Sequence, residues 1–283
     1  VPVRKSSTSR QLRLGSELRK LREAAGTSST EAGRLLGTSQ AQISNIETGR
    51  VGVSGDRVRA MASNYHCTDE ALVEALVVMA GERRRGWWDH YQDLLPVSLL
   101  DLAEAEHHAA ALRVTQVITV PGLLQTPEHA RAIFREFVPT LKPHEVEHRV
   151  SHRIKRQEVL FREDPPSYTA IIHEAALRMQ FGGPETAAAQ LAHLVAMSEH
   201  PHITLAVIPF DGTSFPVSGH GVDYLYGPVP QLDTVQLDTG HGGDTLDAAP
   251  QLERYRLMLD RMQDIALAPA PSRDLISRIA HAL

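Results

Sequence analysis

Two short stretches hold side chains whose type and spacing could do chemistry. His144-Glu145-Val146-Glu147-His148 fits H-E-x-x-H, in which two imidazoles one helical turn apart bind zinc and the glutamate acts as general base. His152 extends the series by another turn. The apolar positions of the same helix are Val146, Val150 and Ile154. His148 lies two residues from Val146, about 200° around a helix, so His144, His148 and His152 are expected to face away from the core. A catalytic zinc needs ligands that line a cleft. The zinc-hydrolase reading on His144, Glu145 and His148 therefore ranks last, and neither enzymatic activity nor a metal or cofactor is expected. Ser218-Gly219-His220-Gly221 and Thr239-Gly240-His241-Gly242-Gly243 place histidines beside glycines. With no nucleophile to serve them, they read as loops.

The second stretch is Ser39-Gln40-Ala41-Gln42, with Asn45 one turn on. Glutamine and asparagine amides can bond adenine N6 and N7 in a bidentate way. Ile43 and Ile46 fall on the opposite side, so a polar reading face and an apolar anchoring face share ten residues. Before this segment runs another short helix, and Leu36-Gly37-Thr38-Ser39 separates the two with a glycine-containing turn, as in a helix-turn-helix. In that motif the N-terminal residues of the second helix meet base edges in the major groove. A plain helical hairpin with a solvated polar face has the same spacing.

The elements that must position these residues are legible from periodicity and punctuation. Leu14, Leu18, Leu21 and Ala25 recur at helical spacing and Gly26 stops them. Ser28 or Ser29 caps a second helix bearing Ala32, Leu35 and Leu36, and Thr38 or Ser39 caps a third that ends at Gly49. A fourth runs from about Ser54 to Tyr65, and a fifth from Thr68 or Asp69 through Leu72, Leu76 and Met79. Beyond them the pattern mixes classes. Helices are expected over Leu99–Leu112, Pro127–Phe137, Pro143–Phe161, Pro184–Glu199, Pro250–Leu267 and Pro271–Leu283. Strands are expected over Val114–Val120, Tyr168–His173, Ile203–Ile208, Val222–Tyr226 and Thr234–Leu237. The expected architecture is an all-α five-helix domain followed by a mixed α/β (α+β) domain. Its boundaries are a flexible basic arm over 1–13 (Arg4, Lys5, Arg10, Arg13), the helical domain over 14–80, a linker over 81–86 and the second domain over 87–283.

Charge follows that division. Residues 1–85 hold 14 Lys/Arg against 9 Asp/Glu, and the rest of the 283-residue chain 15 against 25. A basic head on an acidic body suits a nucleic-acid-binding module joined to a different one. No apolar run is long enough to span a bilayer, and the first residues lack the apolar stretch of a signal peptide. The single cysteine, Cys67, forms neither an internal disulfide nor a zinc cluster. A cytoplasmic location is expected.

Several strings resemble known families. Leu18-Arg19-Lys20-Leu21-Arg22, Ala32-Gly33-Arg34-Leu35-Leu36-Gly37 and Ser39 through Arg50 resemble, in order, the helix-turn-helix of the phage-repressor-like (xenobiotic-response-element) regulators. The resemblance implies base contacts from Gln40, Ala41 and Asn45. It implies phosphate contacts from Ser29, the turn at Thr38 and Ser39, and Ser44 and Arg50, together with an internal pair between Arg22 and Glu47. Where many relatives carry a proline after the Gly-Arg turn, this chain has Val51-Gly52-Val53-Ser54. Gly86-Trp87-Trp88, Pro121-Gly122-Leu123-Leu124-Gln125-Thr126-Pro127, Arg156-Gln157-Glu158-Val159-Leu160, Glu174-Ala175-Ala176-Leu177-Arg178 and Val207-Ile208-Pro209-Phe210 resemble the C-terminal domain of actinobacterial WhiJ-like regulators. Gly240-His241-Gly242-Gly243-Asp244-Thr245 departs from that pattern, in which an apolar strand follows. This second resemblance implies a cytoplasmic regulator whose relatives are often encoded beside a small partner protein, some of them antitoxin-like.

Together these readings set the expected partners: double-stranded DNA, a second copy in a homodimer with half-sites about one turn (~34 Å) apart, and either a small-molecule effector or a small protein partner, with no membrane. A pocket for such a ligand or partner is expected near Trp87, Trp88, Leu123 and Leu124.

Overall fold

The computed structural model describes residues 7–82, 86–212, 214–216, 221–239 and 242–283. The chain divides into two compact units, residues 1–86 and 87–283. Arg4 and Lys5, most of the linker run Arg83–Arg85, and the histidine loops at 217–220 and 240–241 lie outside the described residues.

The first unit is five helices: α1 (Ser9–Ala24), α2 (Ser29–Leu35), α3 (Gln40–Glu47), α4 (Gly55–Asn64) and α5 (Glu70–Gly81). α1 starts earlier than the apolar pattern suggests. Thr8 accepts from the Gln11 amide, and the Gln11 side chain accepts from the Thr8 amide, a reciprocal cap that fixes the first turn. Arg10 and Arg13, read from sequence as part of a basic arm, are therefore helical. Arg10 pairs with Glu82, and Arg13 with Glu17 at 2.9 Å. Ser28, Ser39, Ser54 and Asp69 cap the other four helices. Leu18, Ala32, Ile43, Val58, Met61 and Leu76 form the fully buried centre. The Val51–Ser54 loop closes on it without proline: Val53 is buried, and Ser54 caps α4.

Gly15 is where α1 meets α3. A Cβ there would stand 2.6 Å from the carbonyl oxygens of both Ile46 and Glu47. Backbone cannot yield as a side-chain tip can, so Gly15→Ala is expected to cost about 1–3 kcal/mol through overpacking, despite alanine's better helix propensity. Urea denaturation of the variant measures it.

The second unit is a six-stranded sheet with helices on both faces. After α6 (Val97–His108) come β1 (Ala111–Gln116), α7 (Pro127–Arg135), α8 (Pro143–Gln157), β2 (Ser167–His173), α9 (Glu174–Arg178), α10 (Pro184–Met197), β3 (Ile203–Ile208), β4 (Val222–Tyr226), β5 (Thr234–Thr239), β6 (Gly242–Leu246), α11 (Ala249–Ile265) and α12 (Pro269–His281). Strand order is β3-β2-β1-β4-β5-β6; the first three are parallel and the remainder antiparallel. β1 begins and ends earlier than the expected Val114–Val120. α6 stops at His108, and Ala110 already donates to Tyr226.

One face of the sheet buries Leu112, Val114, Ala170, Ile172, Leu205 and Val207 beneath α10 and α12. The other buries Ile171, Val222, Tyr224 and Val235 beneath Leu252, Leu259 and Met262 of α11. The outer edge of β3 is closed: Leu267 donates to the Val207 carbonyl, and the Val207 amide donates to Ser272 Oγ. Gly242–Leu246 forms the other edge, β6, whose polar Gly-Gly-Asp-Thr-Leu sequence suits an edge strand.

His129 of α7 is 1% exposed, and neither ring nitrogen has a partner among the described residues. Burial, reinforced by the Arg153 charge, pulls its pKa down to about 4. Between pH 6.5 and 4 the unfolded chain therefore binds more protons at this site than the folded one, and stability falls as pH falls through that window. From pH 7.5 to 5.5 the loss from His129 is about 1–2 kcal/mol. Denaturant titration at the two pH values is expected to show that loss shrink by this amount in His129→Leu.

Candidate nucleic-acid interface

The helix-turn-helix is assembled by backbone contacts. A Cβ at Gly33 would come within 2.9 Å of the Thr38 carbonyl oxygen and 3.1 Å of the Gln40 amide nitrogen, so glycine lets α2 and α3 approach. Gly37 takes the left-handed conformation, φ +60°, and the Thr38 amide returns to the Gly33 carbonyl at 2.8 Å, ending α2. Ser39 then caps α3 by accepting from the Gln42 amide at 3.2 Å.

α3 is anchored on one side only. Ile43 is fully buried and Ile46 nearly so. Arg22 of α1 donates through Nε and Nη2 to the two Glu47 oxygens at 2.6 and 2.9 Å, and through Nη1 to the Thr27 carbonyl at 2.8 Å. Arg22 and Glu47 are 9% and 8% exposed. The Glu47 hydrogen bond raises the Arg22 pKa, so the guanidinium stays charged and engaged inside the domain.

On the other side Gln40, Ala41 and Ser44 are exposed, and Gln42 and Asn45 are half-buried. No side-chain hydrogen bond within the described residues engages Gln40, Gln42 or Asn45. Their amides are free to bond outward from a helix whose position is fixed. Around them, Ser29 and Thr38 are half-exposed, Ser39 and Arg50 are exposed, and Arg50 has no ion-pair partner among the described residues. Ser39 is the one candidate whose hydroxyl already serves the fold. Sequence reasoning missed the two close-approach glycines, Gly15 and Gly33, because only the packed structure reveals the facing backbone.

Of the residues expected at a pocket, Leu123 and Leu124 pack in one core cluster and Trp87 and Trp88 in another. Leu123 and Leu124 are 3% and 0% exposed in the main core with residues of α10 and α12. Trp87 and Trp88 belong to a separate cluster with Leu95, Leu100 and Ala103. A surface cavity of about 370 Å³ lies near the C-terminal ends of β2 and β3, with Glu174, Asp211, Asp274 and Arg278 on its walls.

The histidine series also differs from expectation. His144 and His148 stack edge to face at 5.9 Å, but His152 is 1% exposed, 5.4 Å from the Trp87 ring and 5.1 Å from that of Tyr91. α8 is buried on two sides: Val146 and Val150 pack on α7, while His152 and Arg156 turn inward elsewhere. A single apolar stripe does not show the second side. Glu145 accepts from the Lys142 amide at 2.6 Å as a helix cap, and Glu147 pairs with Arg131 at 2.7 Å. Among the described residues no group of three His, Cys, Asp or Glu side chains is arranged to hold a metal ion.

Comparison with known families agrees with the division into units. A helix-turn-helix domain model matches residues 13–76, which supports a DNA-binding regulator. No helix among the described residues is long and apolar enough to cross a membrane. No curated protein and no solved structure matches the chain significantly. A second family model, described as a domain of unknown function (DUF5753), matches residues 99–278, well over half of the chain. The protein therefore belongs to the DUF5753 family and carries a helix-turn-helix domain ahead of that domain.

Proposed function

We propose that this protein is a sequence-specific, double-stranded-DNA-binding transcription regulator that reads base edges with α3. The observation that carries the reading is the division of α3 into a locked side and a free side. Ile43, Ile46 and the Arg22–Glu47 pair hold the helix, while Gln40, Gln42 and Asn45 keep unengaged amides. Gln40 and Asn45 are assigned to adenine and Ala41 to a thymine methyl. Ser29, Thr38, Ser44 and Arg50 are assigned to phosphates. Ser39 contributes by exposing the α3 N-terminus, whose dipole favours an anion.

The unit in solution is proposed to be a homodimer, so that two copies of α3 meet half-sites one helical turn apart. The second unit is proposed to control DNA binding in response to a small molecule or a small partner protein; its strings that resemble WhiJ-like, antitoxin-like regulators favour that role. An antitoxin-like role exercised mainly on a protein partner is the second reading. A zinc hydrolase on His144, Glu145 and His148 is disfavoured by the capping role of Glu145 and the inward turn of His152.

Selection of bound duplexes from a random pool tests the first reading. The expected product is one enriched motif with two-fold symmetry and adenines at the recognition-helix positions. A pool that remains random after repeated rounds at moderate salt overturns it.

A further inference from the structure

β2 and β3 run parallel and end side by side at His173 and Ile208. The residues that follow, Glu174 and Pro209, both line the surface cavity of about 370 Å³. Open α/β sheets take their ligands outside the carboxyl ends of such strands, and the volume falls in the range of small-molecule sites, about 300–1,000 Å³.

The walls of this cavity are held in place by buried groups. Glu174, 6% exposed, accepts from the Phe210 amide at 2.9 Å and from Arg178 Nε at 2.7 Å. It thereby fixes the chain leaving β2 to the chain leaving β3. Burial works against the charge on Glu174, but the Phe210 amide and Arg178 prevail and lower its pKa. Opposite, Ser272 is fully buried; its hydroxyl accepts from the Val207 amide and donates to the Leu267 carbonyl, both at 3.0 Å. The connection between α11 and α12 is thus tied to β3, and the cavity is preformed.

Pro209, Leu267, Pro271 and Leu275 give the cavity apolar surface, and Asp211, Asp274 and Arg278 share the lining with them. Asp274 and Arg278 stand one turn apart on α12, the spacing at which opposite charges on a helix normally pair. Yet no side-chain hydrogen bond or ion pair engages Asp211, Asp274 or Arg278 among the described residues. An acceptor and a donor fork therefore stand side by side, unengaged, against an apolar wall. A lone anion would face the carboxylates of Glu174, Asp211 and Asp274, and a lone cation would leave Arg278 unmatched. A ligand carrying an ammonium and a carboxylate on the same carbon matches both groups, and Asp211 and Glu174 favour its ammonium end.

We propose that this cavity binds an α-amino acid with an apolar side chain. Its ammonium donates to Asp274, its carboxylate accepts from Arg278, and its side chain lies against Leu267 and Leu275. The inference rests on the effector reading above and names its ligand class.

Thermal unfolding of the full chain tests it, with L-leucine and L-phenylalanine as probes at neutral pH. Isoamylamine, which is leucine without its carboxylate, and 4-methylpentanoate, which is leucine without its ammonium, run beside them at matched ionic strength. The expected result is a saturable rise in Tm with an amino acid. Half-saturation is expected to need about tenfold more of either analogue, since each forgoes one charged hydrogen-bonding group. Arg278→Gln weakens the leucine response by about the same factor and leaves that of isoamylamine unchanged. Asp274→Asn weakens the leucine response and leaves that of 4-methylpentanoate unchanged. Both side chains are exposed, so the variants should fold. Asp244→Asn, on β6 at the far edge of the sheet, changes nothing. No rise with either amino acid, or a rise that both analogues or both cavity variants reproduce in full, overturns the site and leaves the effector reading standing. A DNA-binding arm separates the two: amino-acid binding that leaves the Kd for DNA unchanged supports the site and overturns its control of the DNA-binding unit.

Discussion

Replacing Gln40 and Asn45 together by alanine is expected to erase the protein's preference for its selected duplex over a scrambled one while leaving the fold intact. A bidentate amide–adenine contact discriminates by about 1–3 kcal/mol, so two contribute roughly 2–6 kcal/mol. Neither side chain hydrogen-bonds among the described residues, and the helix is held from its other side, so circular dichroism and Tm should match the wild type. Residual binding should remain, because phosphate contacts supply the sequence-independent part of the affinity. Arg50→Ala should do the reverse: weaken both duplexes alike and flatten the salt dependence by about one unit of slope. Anisotropy titrations of the two variants on the two duplexes measure both effects.

Glu47→Ala is expected to destabilise the first unit by about 3–5 kcal/mol, because it leaves the Arg22 guanidinium buried without its carboxylate. The pair is bidentate and both partners lie under the surface, which sets it apart from the exposed Arg19–Glu23 and Arg59–Glu74 pairs, where removal should cost little. Since Arg22 also holds the Thr27 carbonyl ahead of α2, its release loosens both helices of the motif. Denaturant unfolding followed by circular dichroism reads the loss, and Arg22→Ala should cost a similar amount from the other partner.

The helix-turn-helix was legible because everything that defines it is local. The capping serines, the glycine stops and the spacing of Ile43 and Ile46 lie within a few residues of the elements they shape. The early start of α1 escaped because its cap, Thr8 with Gln11, precedes the first apolar residue of the stripe. In the second unit β3 stood out as a continuous apolar run, as a buried parallel strand does. β6 did not, because an edge strand has little apolar sequence to display. Leu123 and Leu124 are core residues here, and composition alone does not tell a buried turn from a pocket wall. His152 was misplaced because α8 is enclosed on two sides, and a helix with two buried sides has no single solvent face. Least legible was the buried ion pair of Glu106 in α6 with Arg156 in α8. The two are fifty residues apart in sequence, so no local pattern announces their pairing.

Recognition of DNA sequence by α3 is the centre of the account, and one measurement tests it most directly. Fluorescence anisotropy of the full chain would be recorded on the selected duplex and on a scrambled duplex of equal composition, each at about 50 and 200 mM salt. The account predicts binding to both that weakens with salt, with a preference for the selected duplex of about a thousandfold or more that persists at the higher salt. Equal affinity for the two duplexes at both salt concentrations would contradict it.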